Sequence, residues 1–318
     1  MKLSVLIITY NHEKYISQAL DSVLMQEVNF AYEIVIGEDC SSDRTRDILI
    51  EYQKKYPEKI RLLLHKQNLG NLGKNNLIKT HHACRGEYIA LLEGDDYWTS
   101  SLKLQKQTDY LDRNPDFAIC FTSTLAFYED GSHTPYVFPD LNYKEISTLK
   151  DLLCDNFMHT CSVMFRNRLF KSYPKWYHEI ITGDYALHII NASYGKIGFI
   201  NEVMSAYRIH KDGIWSMRQK DNMGRNYKSA IALYSNLTNF LDNRYHKILE
   251  KRLFQCFRVL MEKYIESRDI KEVIKLFLKS VKIFKTNITM IIKLLLMIAM
   301  KTFSQLKKSI INMKYAQL

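Results

Sequence analysis

The sequence predicts an α/β fold, in which a mostly parallel sheet carries helices on both faces, followed by a helical C-terminal region. Short, nearly continuous apolar runs alternate with segments of helical periodicity, and the links between them are short. Gly and Pro are scarce, at 11 and 5 of 318 residues, and 47% of the chain is hydrophobic. This composition is typical of a globular protein and excludes fibrous and disordered classes.

The first predicted strand is "LSVLIITY" (3–10), whose unbroken apolar character suits a strand buried on both faces. The following segment repeats apolar residues at helical spacing from Ile16 to Leu24, and Asn11 is its predicted cap. The same alternation continues along the chain. Further strands are predicted at 32–37, 60–65, 87–94, 117–123 and 160–166, and further helices within 40–56, 70–84, 101–113 and 182–195. The stretch from 126 to 160 is irregular, and the chain from about 226 onward has helical character.

Polar residues stand where these strands end. In open parallel sheets, ligands bind outside the carboxyl ends of the strands, so this edge is the predicted site. The residues at the strand ends are Thr9, Tyr10, Asn11, Glu38, Asp39, His65, Glu93, Asp95 and Asp96.

Three acids crowd the stretch "LLEGDDYW" (91–98). The chain has no Walker lysine motif and no GxGxxG after its first strand, so a bound diphosphate would need another counter-charge. Mg²⁺ or Mn²⁺, held by one or two carboxylates together with phosphate oxygens, would supply it. The alternative is a solvated acidic turn that caps the helix starting near Ser100.

Four segments together resemble the family 2 glycosyltransferases. They are "VLIITYNHEKYISQALDSVLMQ", "IGEDCSSDRT", "LLEGDDYW" and "GDYALHI". The resemblance covers about residues 1–213. It implies an inverting enzyme with the Rossmann-like GT-A fold, which moves a sugar from a nucleotide-sugar donor, most often a UDP-sugar, to an acceptor hydroxyl. Residues 214–318 would then form a separate helical, basic region.

The resemblance also implies roles at the nucleotide end of the site. Thr9 and Tyr10 match positions that hold the base, and Asp39 matches the residue that hydrogen-bonds the uracil edge. Asn11 and Glu38 accompany them as expected nucleotide-sugar-binding residues. In "NLGNLGKNN" the family often has a basic residue near the nucleotide, which makes Lys74 a candidate for phosphate binding.

The reacting end is implied in the same way. Asp95 matches the acid near the ribose or sugar, Asp96 matches the metal-binding acid, and Asp184 matches the catalytic base. Glu93 stands where the family more often has Asp, so it is expected beside the metal rather than as a certain ligand. His210, in "YRIHKDGIWS" (207–216), is a candidate for the metal or the diphosphate.

Structural roles are also open for these residues. Tyr10 would also suit a core aromatic at a strand end, and Asp39 would suit an Asx turn before Ser41. Asp184 would also suit the N-terminus of a helix, where the helix dipole favours a negative charge. His210 would also suit a purely structural role.

Positive charge is concentrated in the C-terminal part of the chain. Residues 219–318 hold 20 Lys+Arg against 7 Asp+Glu, and after Glu272 there are nine lysines and no acid. The segment 269–285 places lysines on one helical face and Val273, Ile274 and Phe277 on the other. The apolar run 288–300 is too short to span a bilayer, which needs roughly 20 residues. We therefore expect peripheral contact with an anionic membrane, or alternatively a bundle packed on the core.

The resemblance and the basic tail together imply a metal-dependent glycosyltransferase of cell-surface polysaccharide, lipopolysaccharide or other glycoconjugate synthesis, with a saccharide or lipid-linked acceptor. The alternative is a non-catalytic scaffold, or a protein that binds anionic surfaces or nucleic acid. Nucleic acid is not the expected partner, because the basic residues avoid the half that bears the motifs. The N-terminus lacks signal-peptide features and the six cysteines form no CxxC pair, so we expect a cytoplasmic protein at the inner face of the membrane.

Overall fold

A computed structural model describes residues 1–213, 223–285 and 287–315 of the chain. Side chains are described as far as Gln305. The chain divides into two compact units, Met1–Met217 and Arg218–Leu318, and each is described by itself.

A ten-stranded mixed sheet forms the N-terminal unit. Its strands are β1 (Leu3–Thr9), β2 (Tyr32–Glu38), β3 (Ile60–Leu64), β4 (Tyr88–Glu93), β5 (Tyr97–Trp98), β6 (Phe117–Tyr128), β7 (Tyr136–Phe138), β8 (Ile146–Ser147), β9 (Met164–Arg166) and β10 (Lys196–Ile209). They run in the order β3-β2-β1-β4-β9-β6-β10-β5, with β7 beside β6 and β8 beside β10. The predicted α/β architecture is confirmed.

The parallel half of this sheet comes from the alternating segments of the sequence. β3, β2, β1 and β4 are mutually parallel, and each is joined to the next along the chain through a helix. Those helices and their neighbours are α1 (Ile16–Leu24), α2 (Thr45–Lys55), α3 (Lys74–Ala83) and α4 (Lys103–Arg113), followed by α5 (Leu149–Cys154) and α6 (Gly183–Ala192). β1 and β2 are buried along nearly their whole length, as strands covered on both faces must be.

The second half departs from the sequence prediction. Of the strand predicted at 160–166, only Met164–Arg166 is extended, and it runs antiparallel to β4 and β6, while Thr160–Ser162 forms a 3-10 turn. β10, which was not predicted, runs parallel to β6. The register of β10 shifts between Ile200 and Val203, and this bulge breaks the period-two pattern that would reveal a strand.

The predicted cap of α1 is also wrong. The helix begins after Tyr15, with no side-chain cap. Asn11 instead adopts a positive φ of 57°, and its side-chain oxygen accepts a hydrogen bond from the backbone N–H of Ser42 at 2.8 Å. The side chain therefore joins the loop after β1 to the loop after β2.

The described part of the C-terminal unit is helical, as expected. Its helices are α7 (Met223–Phe240), α8 (His246–Glu266), α9 (Ile270–Ile283) and α10 (Ile288–Tyr315). In α9 the side chain of Val273 is buried and that of Ile274 is 55% exposed, so the apolar residues of this helix are only partly covered. α10 continues for 28 residues. By length and composition, its segment Ile288–Gln305 is sufficient to cross a bilayer. The prediction that the apolar segment is too short to span is therefore wrong.

Candidate active site

The ends of three neighbouring strands, β1, β2 and β4, meet at the predicted edge of the sheet. In the parallel ladder, Thr9 of β1 pairs with Glu38 of β2, and Ile8 pairs with Glu93 of β4. Gly94 follows directly, and a Cβ atom there would lie 2.6 Å from Oγ1 of Thr9. Only glycine allows the two strand ends to approach so closely.

Four carboxylates form a cluster at this edge, and we call Glu93, Asp95, Asp96 and Asp184 the carboxylate cluster. Burial, together with the negative charges of the other three, raises the pKa of Glu93 well above its ordinary value. Asp184 reaches the cluster from the first turn of α6, whose N-terminal dipole favours a negative charge. The first and last of the four acids, Glu93 and Asp184, are 91 residues apart in sequence, yet the charge of Asp184 acts on Glu93 in the folded chain.

The 3-10 turn before β9 links the members of the cluster. The Thr160 hydroxyl donates to Oδ2 of Asp184 at 3.4 Å, and the same side chain lies close to the carboxyl of Glu93. Next to it, burial and the charges of Asp96 and Glu93 raise the pKa of the Cys161 thiol, which lies close to Asp96. The thiol therefore stays protonated.

The adjacent acids Asp95 and Asp96 have different surroundings. Oδ2 of Asp95 lies 3.1 Å from Nε2 of His210 and 3.6 Å from Nε2 of His12. Burial alone would raise the pKa of Asp95, but the two imidazoles outweigh it and lower the pKa. The Asp95 side chain is 19% exposed and therefore accessible to a ligand.

Asp96 is 2% exposed. Burial and the charge of Asp95 raise its pKa well above the ordinary value. Its Oδ1 accepts from the backbone N–H of Arg208 at 2.8 Å, while its buried Oδ2 has no hydrogen-bond partner among the described residues.

Arg208, near the end of β10, brings a fixed positive charge to the cluster. Its Nε donates to the backbone carbonyl of Asp95 at 3.0 Å, and the guanidinium lies 4.7 Å from the ring centre of Tyr15 and 5.0 Å from that of Phe127. Aromatic faces hold the guanidinium in place, because its cation is attracted to their π-electrons. The arginine therefore fixes the backbone of the acidic turn.

The residues expected to hold the nucleotide base lie around the ends of β1 and β2. Tyr10 is 45% exposed, so it is not the core aromatic of the structural alternative. Asp39 is buried, which raises its pKa, and its Oδ1 accepts from the backbone N–H of Leu69 at 2.8 Å. Its backbone N–H donates to the carbonyl of Thr9 at 3.1 Å. These contacts fix the carboxyl of Asp39 beside the strand end.

Glu38 is fully buried, with both carboxyl oxygens already engaged. Oε1 accepts from the backbone N–H of Ser41 at 2.5 Å, and Oε2 accepts from the guanidinium of Arg46, which in turn donates to the carbonyl of His65 at 2.6 Å. The observed contacts of Glu38 are those of a structural ion pair beneath the loop.

Lys74 is buried, and its Nζ donates to the backbone carbonyls of Tyr177, His178 and Ile180. These carbonyls belong to the loop that leads into α6. A Cβ atom on Gly183 would lie 2.6 Å from Cγ of Lys74, so the two segments are in close contact. In this arrangement the lysine positions the start of the helix that carries Asp184.

Sequence reasoning missed four side chains of this site: His12, Thr160, Cys161 and Arg208. The only sequence signal for His12 was its place directly after the first strand end. Thr160 and Cys161 had none, because a strand was predicted there. Arg208 lies within the segment quoted for His210, two residues before it.

The residues present suit a hard divalent cation. Buried Oδ2 of Asp96 and Oε2 of Glu93 both lack hydrogen-bond partners within the described chain, and an uncompensated buried carboxylate favours a bound cation. Carboxylate oxygens are the ligands that Mg²⁺ and Mn²⁺ prefer. Throughout 1–213, 223–285 and 287–315 no three acidic, histidine or cysteine side chains are arranged to hold a metal by themselves. A ligand would have to complete the coordination.

Comparisons with known proteins identify relatives of this chain. An uncharacterized Mycobacterium tuberculosis protein is 39% identical over 219 residues, which are 69% of this chain and 62% of that protein. The chain therefore spans less than two thirds of the length of that relative. The poly(ribitol-phosphate) β-N-acetylglucosaminyltransferase TarS of Staphylococcus aureus is 37% identical over 98 residues, 30% of this chain and 17% of that protein.

Solved structures show the same fold. TarS residues 1–349 in complex with UDP-GlcNAc match with a TM-score of 0.60 at 18% identity, covering 84% of this chain and 73% of that one. The mannosyltransferase PcManGT of Pyrobaculum calidifontis, in complex with GDP-Man and Mn²⁺, matches with a TM-score of 0.55 at 14% identity, covering 95% and 87%. The fold is therefore GT-A, followed by a helical C-terminal region. Because the profile described as glycosyl transferase family 2 also matches residues 4–172, more than half of the chain, the protein belongs to that family.

Proposed function

We propose that the protein is an inverting glycosyltransferase that moves a sugar from a nucleotide-sugar donor, a UDP-sugar, to an acceptor hydroxyl. The observation that carries the proposal is the junction at Thr160. Its hydroxyl donates to Asp184, at the start of α6, and lies close to Glu93, at the end of β4. The proposed base and the acid beside the proposed metal site would thus lie on either side of Thr160.

Asp184 is the proposed catalytic base. Inversion needs one carboxylate that removes the proton from the acceptor hydroxyl while that oxygen attacks the anomeric carbon and the diphosphate departs from the opposite face. Thr160 would orient the carboxylate, and Lys74 would hold the preceding loop. The half-buried position of Asp184 leaves it open to an acceptor.

Asp96 and Asp95 are the proposed holders of Mg²⁺ or Mn²⁺. Asp96 has an unpartnered oxygen, and Asp95 is the more exposed of the two. The cation would neutralise charge on the leaving diphosphate. Glu93 would lie beside it as a supporting acid. His210 would act by orienting Asp95, because its Nε2 already faces that carboxylate.

The nucleotide is proposed to lie over the ends of β1 and β2. Thr9, Tyr10 and Asp39 would contact the nucleotide base and the ribose, and the exposed side chain of Tyr10 would lie against the ring of the nucleotide base. Asn11 would shape this surface through its bond to Ser42. We propose supporting roles for Glu38 and Lys74, whose contacts are with the protein itself.

The acceptor is proposed to be a saccharide or a lipid-linked saccharide of cell-surface polymer synthesis. TarS, whose name states a poly(ribitol-phosphate) acceptor, supports a polymer of this kind. We also propose a cytoplasmic enzyme that is peripheral at the inner face of the membrane. Its basic C-terminal unit supports that location.

A thermal-shift panel tests the proposal. UDP-, GDP-, TDP- and CMP-sugars are added to the full chain with and without Mn²⁺. We expect a UDP-sugar to raise Tm only when Mn²⁺ is present, since a ligand at 100-fold its Kd stabilises by about 2.7 kcal/mol. If no nucleotide sugar raises Tm and RNA binds instead, the chain is a nucleic-acid-binding member of the fold and the proposal fails.

A further inference from the structure

Helix α10 is apolar on two faces. One face packs within the C-terminal unit, where Leu294 is fully buried and Met290, Ile291, Met297 and Ile298 are partly buried. An ordinary surface helix would be polar on its other side. This helix is not, so its second apolar face requires an explanation.

The second face forms a continuous stripe, which we call the outer stripe. Its members recur at helical spacing: Ile288, Ile292, Leu295, Leu296, Met300 and Phe303. Their exposed fractions run from 49% at Ile292 to 73% at Met300. Six large apolar side chains side by side on one helix are typical of an interaction surface rather than of ordinary solvent-facing positions.

The surroundings of the outer stripe indicate which partner covers it. No acid follows Glu272 in the sequence, while nine lysines do. Lys293 is exposed within α10, and Lys271, Lys279 and Lys282 are exposed on α9. Acids beside α10 come from α8, where Glu262 and Glu266 lie 4.0 and 3.9 Å from Nζ of Lys301. An apolar stripe with an excess of lysines around it matches a bilayer surface, with its acyl boundary beneath anionic headgroups. A protein partner would need an apolar groove with an acidic rim to match the same surface.

Contacts along α10 favour a helix that lies in the surface over one that spans the bilayer. Near its start, Asn287 donates to Glu250 at 3.3 Å, and near its end Gln305 donates to the backbone carbonyl of Ile265 at 2.7 Å. These contacts hold α10 alongside α8 over about 27 Å, at 1.5 Å per residue. α8 carries Lys251, Arg258 and Lys263 exposed to solvent. Burying such charges in hydrocarbon is costly, so spanning would require α10 to leave α8.

We propose that the outer stripe of α10 is a membrane-docking surface that lies in the plane of an anionic bilayer. This deepens the proposed function, because it names the surface by which the enzyme would reach a lipid-linked acceptor. Lipid binding is measured without donor or acceptor, so this inference and the proposed transferase activity can each fail alone.

The test is co-sedimentation of the full chain with vesicles of 30% phosphatidylglycerol in phosphatidylcholine, and with vesicles of phosphatidylcholine alone. The variant Ile292→Ser/Leu296→Ser/Phe303→Ser removes half of the outer stripe. The matched control, Ile270→Ser/Ile274→Ser/Leu278→Ser, removes three residues of α9 that are 50–56% exposed. Circular dichroism and Tm establish that both variants fold, as expected for changes at exposed positions.

We expect wild type to bind anionic vesicles, and to bind neutral ones about tenfold or more weakly. The α10 variant should lose about tenfold or more in partition to anionic vesicles, while the α9 control changes less than threefold. High salt should weaken wild-type binding only in part, because screening acts on the lysines and not on the buried apolar area. Equal losses in the two variants would overturn the assignment to α10. Absence of vesicle binding, with a wild-type dimer that the α10 variant turns into a monomer, would show that a second copy covers the stripe.

Discussion

Nε2 of His210 lies 3.1 Å from Oδ2 of Asp95, and this contact joins the end of β10 to the turn after β4. His12 approaches the same oxygen from the loop after β1, at 3.6 Å. The accessible acid of the carboxylate cluster is therefore held between two imidazoles from distant parts of the chain. Its negative charge depends on them, because they lower a pKa that burial would otherwise raise.

Replacing His210 with Phe should make ligand binding more sensitive to acid. The ring contact with Tyr15 can be kept, but one of the two imidazoles beside Asp95 is lost, so the pKa of Asp95 should rise. Mn²⁺-dependent UDP binding, measured by calorimetry from pH 5 to 8, should then weaken at a higher pH than in wild type. His246→Phe, in the C-terminal unit, is the control. An unchanged pH profile in His210→Phe would show that the histidine does not set the charge of Asp95.

Asp95→Asn and Asp96→Asn should change stability in opposite directions at neutral pH without metal. The folded-state pKa of Asp96 is raised, so its contribution to stability is greatest at low pH and is lost as the pH rises. Asp96→Asn should therefore raise Tm by about 2 °C or more at pH 7.5, and less as the pH falls towards 4. The same variant should lose Mn²⁺-dependent UDP binding.

For Asp95 the expected change in Tm has the opposite sign. Its folded-state pKa is lowered, so its contribution is present above the unfolded-state pKa and is lost as the pH falls. Asp95→Asn should lower Tm by about 2 °C or more at pH 7.5, and the difference should shrink in acid. Scanning fluorimetry across this pH range measures both variants. Shifts of the same sign would contradict the different surroundings described for the two acids.

Lys74→Met should destabilise the loop before α6 and leave the affinity for the nucleotide almost unchanged. Three backbone carbonyls lose a charged donor, and each such hydrogen bond stabilises by about 1.5–3 kcal/mol, so Tm should fall clearly. Turnover should fall as well, because Asp184 follows this loop. The Kd for UDP should stay within threefold of wild type. A large loss of UDP affinity, absent from the control Lys79→Met on the exposed side of α3, would restore the phosphate role.

The parallel half of the fold could be predicted because each of its segments carries its own pattern. Strands such as β1 are apolar on both faces, and α1 repeats apolar residues at helical spacing, so local sequence is sufficient. β10 was missed because its bulge places exposed Asn201 and Glu202 in the middle of the strand. Such a strand depends on its neighbour β6 rather than on its own alternation.

In the candidate site, too, local sequence reveals the residues but not the contacts between distant segments. Its acids were found because "EGDD" is concentrated in sequence, and Asp184 because a motif surrounds it. Lys74 appeared available for phosphate because nothing local reveals the three carbonyls more than a hundred residues away. The link from Thr160 to Glu93 and Asp184 likewise joins three segments that only the folded chain brings together.

Turnover against donor binding in Asp184→Asn tests the central claim most directly. The full chain is supplied with Mn²⁺ and the UDP-sugar selected by thermal shift, and release of UDP is followed with water or a sugar acceptor as nucleophile. Loss of the base should lower turnover by at least about 10²-fold, while the Kd for the donor stays within threefold. Glu179→Gln, an exposed acid in the loop before α6, should keep wild-type turnover. Turnover within tenfold of wild type in Asp184→Asn, or a donor affinity that falls in step with turnover, would contradict the assignment of Asp184 as the base.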